Sequence, residues 1–546
     1  MNDYFINIGT NLGKSISSPP LSDPSTVKSI NNSFFLTPVT PTEVDKLLLK
    51  LNASKSGGLN QPPNKFLIIG HDIISPVLTT LINNSFLFGI FPSQLKISTV
   101  IPIYKAGDRK LPSNYRPISL LPSFSKILER CIHSRLTNFF QKNKIIHPDQ
   151  YGFQRGLSTE MAISAVYDEL ASRLDKKEIT CAVFLDIRKA FDSVHHDLLI
   201  NKLHKNGIRG TPLKLITSFL KNRSQTVYVN GITSSSRTIK CGVPQGSVLG
   251  PLLFLSFIND LVDVSPVTKM SLFADDACLI YSSPSITSLQ TQMNCELKKI
   301  STWMSWNKLR LNYDKTLFLN FSKRKLNNSL KIYIDEIEIK EASQTKYLGV
   351  IFDNRLNWVP HTSNVVKKMA MGCWAIANLK KYVATKTLRT VYFALVYPHI
   401  HYGISCWGSA SKKQLQKIYV KQKWAVKVIT NSAIRDSSTP LFHSLGILKL
   451  EDVFQLKVAT EIRRLIISKS LHKFRLEFLH RIHTYSTRSA SKSNFGIPAV
   501  KTNLGKATLQ FKGSVIWNNL PDNFRTKSPE QLKHLMKKFI LNTYQT

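Results

Sequence analysis

The chain has 546 residues, of which 42% are hydrophobic and 20% are charged, and this composition excludes a mainly disordered or fibrous protein. At about 150 residues per domain, its length predicts roughly three to four domains. Lysine and arginine number 74 against 34 acidic residues, a formal net charge of +40, so we expect a polyanionic partner, usually a nucleic acid.

Residues 1–95 form an N-terminal extension that contains two stretches rich in proline, serine or glycine, at 15–24 and 56–63. Both stretches are predicted to be loops. A helix is expected to begin at Pro41, because Thr40 or Thr42 can cap it.

Residues 96–360 alternate short apolar runs with helical patterns, which is typical of an α+β fold with a sheet at its centre. We predict a buried strand at Thr180–Ile187, followed by a helix capped by Asp192. Two further strands, Lys269–Ala274 and Ala277–Tyr281, would be joined by a tight turn. Another strand is predicted at Lys346–Phe352.

The chain becomes strongly basic after residue 360. Residues 361–435 contain 13 lysines and arginines and no acidic residue. Within them, residues 412–429 have a helical period that places Lys413, Lys417 and Lys421 along one face, away from the apolar face. We therefore predict a basic helical region at 361–435 and a second helical region at 436–546.

The cysteines and the apolar segments of the chain indicate in which cellular compartment the protein is expected. The seven cysteines form no Cys-x-x-Cys pair, which disfavours a zinc ribbon, and their odd number and wide scatter disfavour a disulfide framework. The longest strongly apolar run, 248–258, is shorter than the roughly 20 residues of a membrane-spanning helix. We expect an intracellular protein of the nucleus, the cytoplasm or both, which is not secreted and does not bind a membrane. Ser322–Lys325 is a weak nuclear signal.

Three carboxylates are candidates for catalysis. Asp186 ends an apolar strand, and Asp275 and Asp276 lie in a predicted hairpin turn. A strand end and a turn can meet at one sheet edge, where carboxylates bind two Mg²⁺ ions for in-line phosphoryl transfer. The alternative is ordinary turn chemistry for the Asp-Asp pair and a solvated strand end for Asp186.

The loop between these carboxylates contains Pro244-Gln245-Gly246. Gln245 can hydrogen-bond a base or a sugar, and Gly246 allows another backbone or a nucleotide to approach closely. The alternative is an ordinary loop before a buried helix at Leu252–Ile258.

Eight sequence blocks follow one another between residues 96 and 355: Val100–Asp108, Asn114–Leu121, Tyr151–Thr159, Ala182–Asp192, Gly242–Phe254, Phe273–Asp276, Leu311–Thr316 and Lys346–Asp353. In this order they resemble the reverse transcriptase domain of non-LTR retrotransposons of the jockey/CR1 type. Leu395–Gly408 and Val515–Pro521 resemble the region that follows the polymerase in these elements. The resemblance implies a right-hand polymerase, with fingers and palm at 96–360 and a thumb-like region at 361–435.

The resemblance also implies a role for each matching residue at the catalytic centre. Asp186, Asp275 and Asp276 are the palm carboxylates, and the metals bind Asp186, Asp275 and the carbonyl of Ile187. The residues implied to bind the incoming nucleotide are Lys105, Arg116, Phe191, Gln245, Gly246 and Lys315. Among these, Phe191 would be a steric gate against a ribose 2′-OH, and Lys315 would protonate the departing pyrophosphate. Phe191 can also be a core aromatic, and Lys105 and Lys315 can be surface lysines.

Nucleic-acid contacts are implied at three places. Arg155 resembles a template-contacting position, and Tyr347-Leu348-Gly349 resembles a primer-grip hairpin. The stripe of Lys413, Lys417 and Lys421 would follow the backbone of a duplex.

The implied activity is RNA-directed DNA synthesis with two Mg²⁺ ions, or Mn²⁺ in their place. Its partners are an RNA template, a DNA primer or nicked target DNA, and deoxynucleoside triphosphates. Ser54–Pro63 departs from the family pattern, since the usual aspartate is absent. No endonuclease pattern occurs in residues 1–95, so we expect this to be the polymerase-containing part of a longer reading frame, with a separate endonuclease as partner.

Three other functions remain open. An RNA-templated RNA polymerase would keep the fold, but Phe191 and the FADD sequence argue against it. An inactive retrotransposon-derived relic would bind nucleic acid without catalysis. A metal-dependent nuclease or phosphatase would not need Gln245-Gly246 or the gate. We find no ordered set of acids for an RNase H site after residue 360.

Overall fold

A computed structural model of the chain describes residues 1–14, 29–54, 62–322, 330–479 and 494–545. The predicted loop at 15–24 and most of the loop at 56–63 lie outside these residues, as do Lys323, Arg324 and Lys325 of the predicted nuclear signal. None of the described helices combines the length and apolar character needed to cross a membrane.

In the described part of the chain before the first sheet, four α-helices are present: α1 (Asn2–Lys14), α2 (Pro41–Leu49), α3 (Asn64–Ile69) and α4 (His71–Phe88). The predicted start of α2 is confirmed, because the Thr40 side chain accepts a hydrogen bond from the Glu43 amide. α1 covers the first sheet, with Phe5 and Ile8 packed against Val100 and Val227.

The first sheet is built from β1 (Ile97–Tyr104), β2 (Tyr115–Leu120), β4 (Arg223–Val229), β5 (Ile232–Thr233) and β6 (Arg237–Ile239). β1 pairs with β2 in an antiparallel hairpin and with β4 in parallel. The loop that joins β1 to β2 therefore projects from one end of this sheet and carries Lys105 at its base.

The second sheet lies at the centre of the molecule and contains β3 (Ile179–Leu185), β7 (Lys269–Phe273), β8 (Asp276–Ser283), β9 (Leu317–Asn320) and β12 (Lys340–Glu341). The strand order is β12-β9-β3-β8-β7, and every pair except β12 with β9 is antiparallel. All seven residues of β3 are buried, as its unbroken apolar sequence predicts.

Six helices pack around this sheet: α5 (Ser123–Lys142), α6 (Thr159–Asp175), α7 (His196–Lys205), α8 (Gly210–Leu220), α9 (Leu249–Ile258) and α10 (Ile286–Trp306). The buried helix predicted at Leu252–Ile258 is confirmed as part of α9. The predicted cap at Asp192 is wrong: α7 begins at His196, because residues 190–193 form a separate 3-10 turn.

Two small hairpins follow, β10 (Tyr333–Ile334) with β11 (Ile337–Glu338), and β13 (Gln344–Tyr347) with β14 (Val350–Asp353). The single strand predicted at Lys346–Phe352 is therefore wrong. Leu348 and Gly349 have φ angles of 44° and 89°, so the chain reverses there and forms a hairpin.

The C-terminal part is helical: α11 (Val359–Leu379), α12 (Thr385–Leu395), α13 (Tyr397–His401), α14 (Ile404–Trp407), α15 (Lys412–Thr430), α16 (Thr439–Ser444), α17 (Leu450–Ile467), α18 (Asn503–Lys506), α19 (Ser514–Asn518), α20 (Asp522–Arg525) and α21 (Pro529–Asn542). A π-helical turn spans Leu509–Gly513. The helix predicted at 412–429 is confirmed as α15, and its apolar face packs inward through Ile418, Ala425 and Val426.

Two hydrophobic cores meet at β3, because successive side chains of a strand point to opposite faces. Ala182 and Phe184 belong to the core shared with the C-terminal helices. Cys181, Val183 and Leu185 belong to the core shared with α5, α9 and α10. The mixed helix and sheet architecture is the predicted one, while the division at 95, 360 and 435 stays a prediction.

Candidate active site

The three predicted carboxylates lie at one end of the central sheet. β3 ends at Leu185, directly before Asp186, and Leu185 is paired with Ala277 of β8. The turn between β7 and β8 consists of Ala274 and Asp275, since Phe273 pairs with Asp276. The strand end and the hairpin turn therefore meet, as the sequence predicts.

The charges of these carboxylates interact. Burial raises the pKa of Asp275, the negative charge of Asp186 raises it further, and the cations of Arg116 and Lys105 oppose both effects. Asp276 lies next to the turn of the hairpin, and it is exposed. Its carboxylate is nevertheless partly shielded from solvent, which raises its pKa, and repulsion by Asp275 and Asp186 adds to this shift, so that the pKa is about 6. A cluster that repels itself in this way favours binding of a cation.

A buried glutamine, which the sequence analysis missed, supports the turn. Gln150 is 1% exposed, and its Oε1 accepts hydrogen bonds from the amides of Ala274 (2.9 Å) and Gly152 (2.8 Å). The Ala274 backbone needs this support because its φ is 56°, in the left-handed region. The only sequence signal was the position of Gln150 directly before the Tyr151 block.

Ile187 is 5% exposed and forms an isolated antiparallel bridge with Leu311. The hydrogen bonds that flank this bridge use the carbonyl of Asp186 and the amide of Arg188. They do not use the carbonyl of Ile187, so the predicted role of that carbonyl as a metal ligand stays compatible with the backbone pairing.

Cations face the carboxylates from the first sheet. Lys105 and Arg116 are exposed and lie near the base of the β1–β2 hairpin, close enough to act on the pKa values of Asp275 and Asp276. The sequence predicts both as triphosphate-binding residues. The structure brings them to the side of the site where an anionic substrate would be neutralised.

A third cation, Lys189, was missed by the sequence analysis. Its Nζ donates hydrogen bonds to the carbonyls of Ser113 (3.1 Å) and Tyr115 (3.2 Å), which ties the segment after Asp186 to the β1–β2 hairpin. Burial lowers the pKa of Lys189, and the nearby cations Lys105, Arg116 and Lys315 lower it further, while Asp192 opposes this shift. Lys189 lies inside the Ala182–Asp192 block, but its partners are more than 70 residues away in the chain.

Phe191 is half-buried and packs between two other aromatic rings. It stacks on Phe254 of α9 with centroids 4.3 Å apart and meets the edge of Phe153 at 6.2 Å. Phe254 is fully buried, whereas Phe153 is 56% exposed. Phe191 is thus a junction aromatic that is only partly buried, and its role as a gate stays a prediction.

The Pro244-Gln245-Gly246 loop lies against β2. The Gln245 carbonyl accepts a hydrogen bond from the Ser119 amide (2.7 Å), and a Cβ on Gly246 would lie 2.5 Å from the Ser119 carbonyl oxygen. The predicted close approach at Gly246 is therefore to a protein backbone. Gln245 Nε2 donates to Asp192 Oδ1 (2.9 Å), so one of its amide hydrogens is used within the protein, and its contact with a base or sugar stays a prediction.

The same loop is anchored from behind by Glu129 of α5. This carboxylate is fully buried and accepts hydrogen bonds from the amides of Val248 (2.7 Å) and Leu249 (3.1 Å) at the start of α9. Burial raises the pKa of Glu129, and these two amides oppose the shift.

The remaining predicted residues differ in how far their side chains are exposed to solvent. The exposed ones are Arg155, Lys315, Gly349, Lys413 and Lys417, while Leu348 and Lys421 are half-buried. Tyr347 is 4% exposed and packs on Phe184 with centroids 5.5 Å apart. The nucleic-acid contact predicted for Tyr347 is therefore not available to its side chain, because that side chain fills the core behind β3.

Among the described residues, no three histidine, cysteine, aspartate or glutamate side chains form a ready metal cage. Mg²⁺ in phosphoryl-transfer sites takes one or two carboxylates and completes its shell with water and substrate phosphates. The donor set of Asp186 and Asp275, with cations placed opposite them for a triphosphate, fits this second arrangement.

Comparison with protein families matches residues 103–352 to the family described as reverse transcriptase (RNA-dependent DNA polymerase). The chain is 32% identical over 430 residues to the probable RNA-directed DNA polymerase from transposon BS of Drosophila melanogaster. This alignment covers 76% of this chain and 47% of the relative. The chain is 31% identical over 435 residues to the RNA-directed DNA polymerase from mobile element jockey of the same species, covering 77% and 47%.

A third relative, the probable RNA-directed DNA polymerase from transposon X-element of Drosophila melanogaster, is 29% identical over 478 residues, covering 86% of this chain and 50% of the relative. The chain thus spans about half the length of the curated relatives it matches. The matched range contains Asp186, Asp275, Asp276, Lys105 and Arg116. Residues 103–352 of the chain are therefore a reverse transcriptase domain, similar to those of non-LTR retrotransposons.

Proposed function

We propose that this chain is an RNA-directed DNA polymerase, which adds deoxynucleotides to a DNA 3′-OH on an RNA template. The observation that carries the proposal is the meeting of Asp186 and Asp275 at one sheet end, opposite Lys105 and Arg116. The carboxylates can bind the metal ions of a metal-bound triphosphate, and the cations on the other side can bind its phosphate groups.

The reaction joins the primer 3′-oxygen to the α-phosphorus of the incoming nucleotide and breaks the bond to the β-phosphate. Asp186 and Asp275 would hold two Mg²⁺ ions, which would supply charge neutralisation for phosphoryl transfer. Lys105, Arg116 and Lys189 hold the triphosphate on the opposite side. Lys315, which lies in the same group of cations, donates the proton to the departing pyrophosphate.

Deoxynucleotides are the proposed substrates because Phe191 is a half-buried aromatic residue five positions after Asp186, and its ring is supported by stacking on Phe254. A ribose 2′-OH would have to displace this ring. The gate is the argument for DNA synthesis over RNA synthesis.

The proposed template and primer contacts are Arg155, the turn at Leu348 and Gly349, and the stripe of Lys413, Lys417 and Lys421. The exposure of Lys413 and Lys417 and the lack of any acidic residue between 361 and 435 support a phosphate-binding role. We propose an RNA template and a DNA primer or nicked target DNA as partners, with a separate endonuclease as the source of the nick.

Primer extension tests the proposal directly. The purified chain is given poly(rA)/oligo(dT), dTTP and Mg²⁺, beside the Asp275→Ala/Asp276→Ala double variant. Extension by the native chain that the variant loses would support the proposal. If neither protein extends the primer while both bind the hybrid in a salt-sensitive way, the chain is a binding relic under these conditions and the proposal fails.

A further inference from the structure

The segment Leu311–Thr316 holds Asp186 by three separate hydrogen bonds. The backbone N–H of Asn312 donates a hydrogen bond to the backbone carbonyl of Asp186 (2.8 Å), and the backbone N–H of Asp186 donates one to Thr316 Oγ1 (3.4 Å). The third bond reaches the functional group itself: Asn312 Nδ2 donates to Asp186 Oδ2 at 2.8 Å.

The orientation of the Asn312 side chain is fixed from its other end. Arg188 Nη2 donates to Asn312 Oδ1 (3.4 Å) and to Asp314 Oδ2 (3.3 Å). Since the guanidinium can only donate, the amide must place its oxygen towards Arg188 and its nitrogen towards Asp186.

Asn312 also organises the loop that carries Lys315. Its backbone carbonyl accepts hydrogen bonds from the amides of Lys315 (3.1 Å) and Thr316 (2.8 Å). Asn312 therefore contacts the carboxylate of Asp186, which is 126 residues away in sequence, and also stabilises the turn that precedes β9.

We propose that Asn312 is a positioning residue for Asp186, and this rests on the proposed function. The Asp186 carboxylate stands at the free end of a strand, where its side chain could otherwise rotate. By holding Oδ2, the Asn312 amide fixes the carboxylate plane and presents the other oxygen for a metal ion. Hydrogen-bond partners of this kind orient metal ligands, and losing one weakens metal binding by about 10- to 100-fold.

The competing explanation is that Asn312 only stabilises its own loop. The two explanations differ in one measurable quantity, the affinity for a divalent cation in a folded protein. A loop-stabilising residue would change the thermal unfolding midpoint, whereas a positioning residue changes the affinity of the intact site.

Two variants test this. Asn312→Leu keeps the approximate size but removes both the donor to Asp186 and the acceptor for Arg188, and Asn312→Ala removes the side chain. Tyr313→Phe is the matched control, because it breaks a bond to Asp335 in the same loop without touching Asp186. Binding of Mn²⁺ is measured by electron paramagnetic resonance on the full chain, alone and with a dideoxy-terminated template–primer and dNTP, and thermal unfolding is recorded for each protein.

We expect the dissociation constant for Mn²⁺ to rise at least about tenfold in both Asn312 variants and to stay unchanged in Tyr313→Phe. If folded Asn312 variants bind Mn²⁺ within twofold of the native chain, the proposal is overturned. Asp275→Asn provides the reference for a lost metal site. Failure of the native chain to extend a primer would reject the proposed function and leave this metal measurement standing on its own.

Discussion

Phe191 and Phe254 stack face to face, with ring centroids 4.3 Å apart and planes inclined by 17°. Phe254 is fully buried in α9, so it forms a fixed wall behind the half-buried ring of Phe191. Discrimination against ribonucleotides would then depend on both residues, because a gate works only if the ring cannot retreat.

We therefore expect Phe254→Leu to increase ribonucleotide incorporation several-fold relative to deoxynucleotide incorporation. The smaller side chain leaves space into which Phe191 can tilt. The matched control is Phe257→Leu, which removes a fully buried ring from the same helix without touching Phe191. The ratio of kcat/KM for rTTP and dTTP is measured for each protein, and an equal ratio in both variants would show that Phe254 has no role in the gate.

Gly246→Ala should strongly impair catalysis. Its φ of 121° disfavours any side chain, and the new methyl group would lie 2.5 Å from the Ser119 carbonyl, pushing β2 and Arg116 away from the site. We expect kcat/KM for dTTP to fall by about 10- to 100-fold, as misplacement of about 1 Å commonly causes.

Gly231→Ala is the control for this variant. Gly231 also has a positive φ, 83°, but a Cβ there would meet nothing within 4 Å. It carries the same kind of backbone strain, about 1–3 kcal/mol, without the collision. Equal activities of the two variants would mean that the contact between Gly246 and β2 is dispensable.

Glu461 of α17 should make the stability of the protein depend on pH. This glutamate is buried beside Lys457, whose Nζ lies 3.7 Å from Glu461 but 2.6 Å from Glu160. Burial raises the pKa of Glu461 to about 7, Lys457 opposes the shift, and Glu160 adds to it. One lysine cannot fully compensate two carboxylates.

Because the pKa is higher in the folded chain than in the unfolded chain, the folded state binds more protons between about pH 4.5 and 7. The stabilisation from this group is complete below that range and is lost as the pH rises through 7. We expect Glu461→Gln to flatten this decline by about 1–3 kcal/mol in urea unfolding at pH 5 and pH 8. Glu451→Gln, exposed on the same helix, should leave the pH dependence unchanged.

The double variant Lys413→Gln/Lys417→Gln should weaken binding to an RNA–DNA hybrid and make it less dependent on salt. Each lost phosphate contact lowers the slope of log K against log salt by about 0.9, so we expect a decrease of about 2. Lys46→Gln/Lys50→Gln, in α2 and directly after it, is the control, since these lysines are also exposed and four residues apart. Fluorescence anisotropy at several salt concentrations gives both slopes, and equal slopes would remove α15 from the nucleic-acid surface.

The carboxylate cluster could be predicted from sequence because each of its parts has a local signal. An unbroken apolar strand ends at Asp186, and the Asp275-Asp276 pair lies where a hairpin must turn. The inward face of α15 followed from its helical period in the same way.

Residues that form hydrogen bonds to partners distant in sequence had no such local signal. Lys189 bonds to carbonyls near residue 114, and Asn312 reaches Asp186 from 126 residues away. Tyr347 was predicted to contact nucleic acid because it lies in a matching block, whereas β13 turns its ring into the core. Sequence position alone does not say to which face of a short strand a side chain points.

The alternation along β3 has a consequence for how the chain can be divided. Phe184, two residues before Asp186, packs on Tyr347 and Phe352, and the same core continues into α11, α15 and α17. A fragment that stops at residue 352, where the match to the polymerase family ends, would keep α6 on this face but lose the C-terminal helices that complete the same core. The smallest autonomous folding unit therefore extends into the C-terminal helices, and recombinant expression of the catalytic part should retain them.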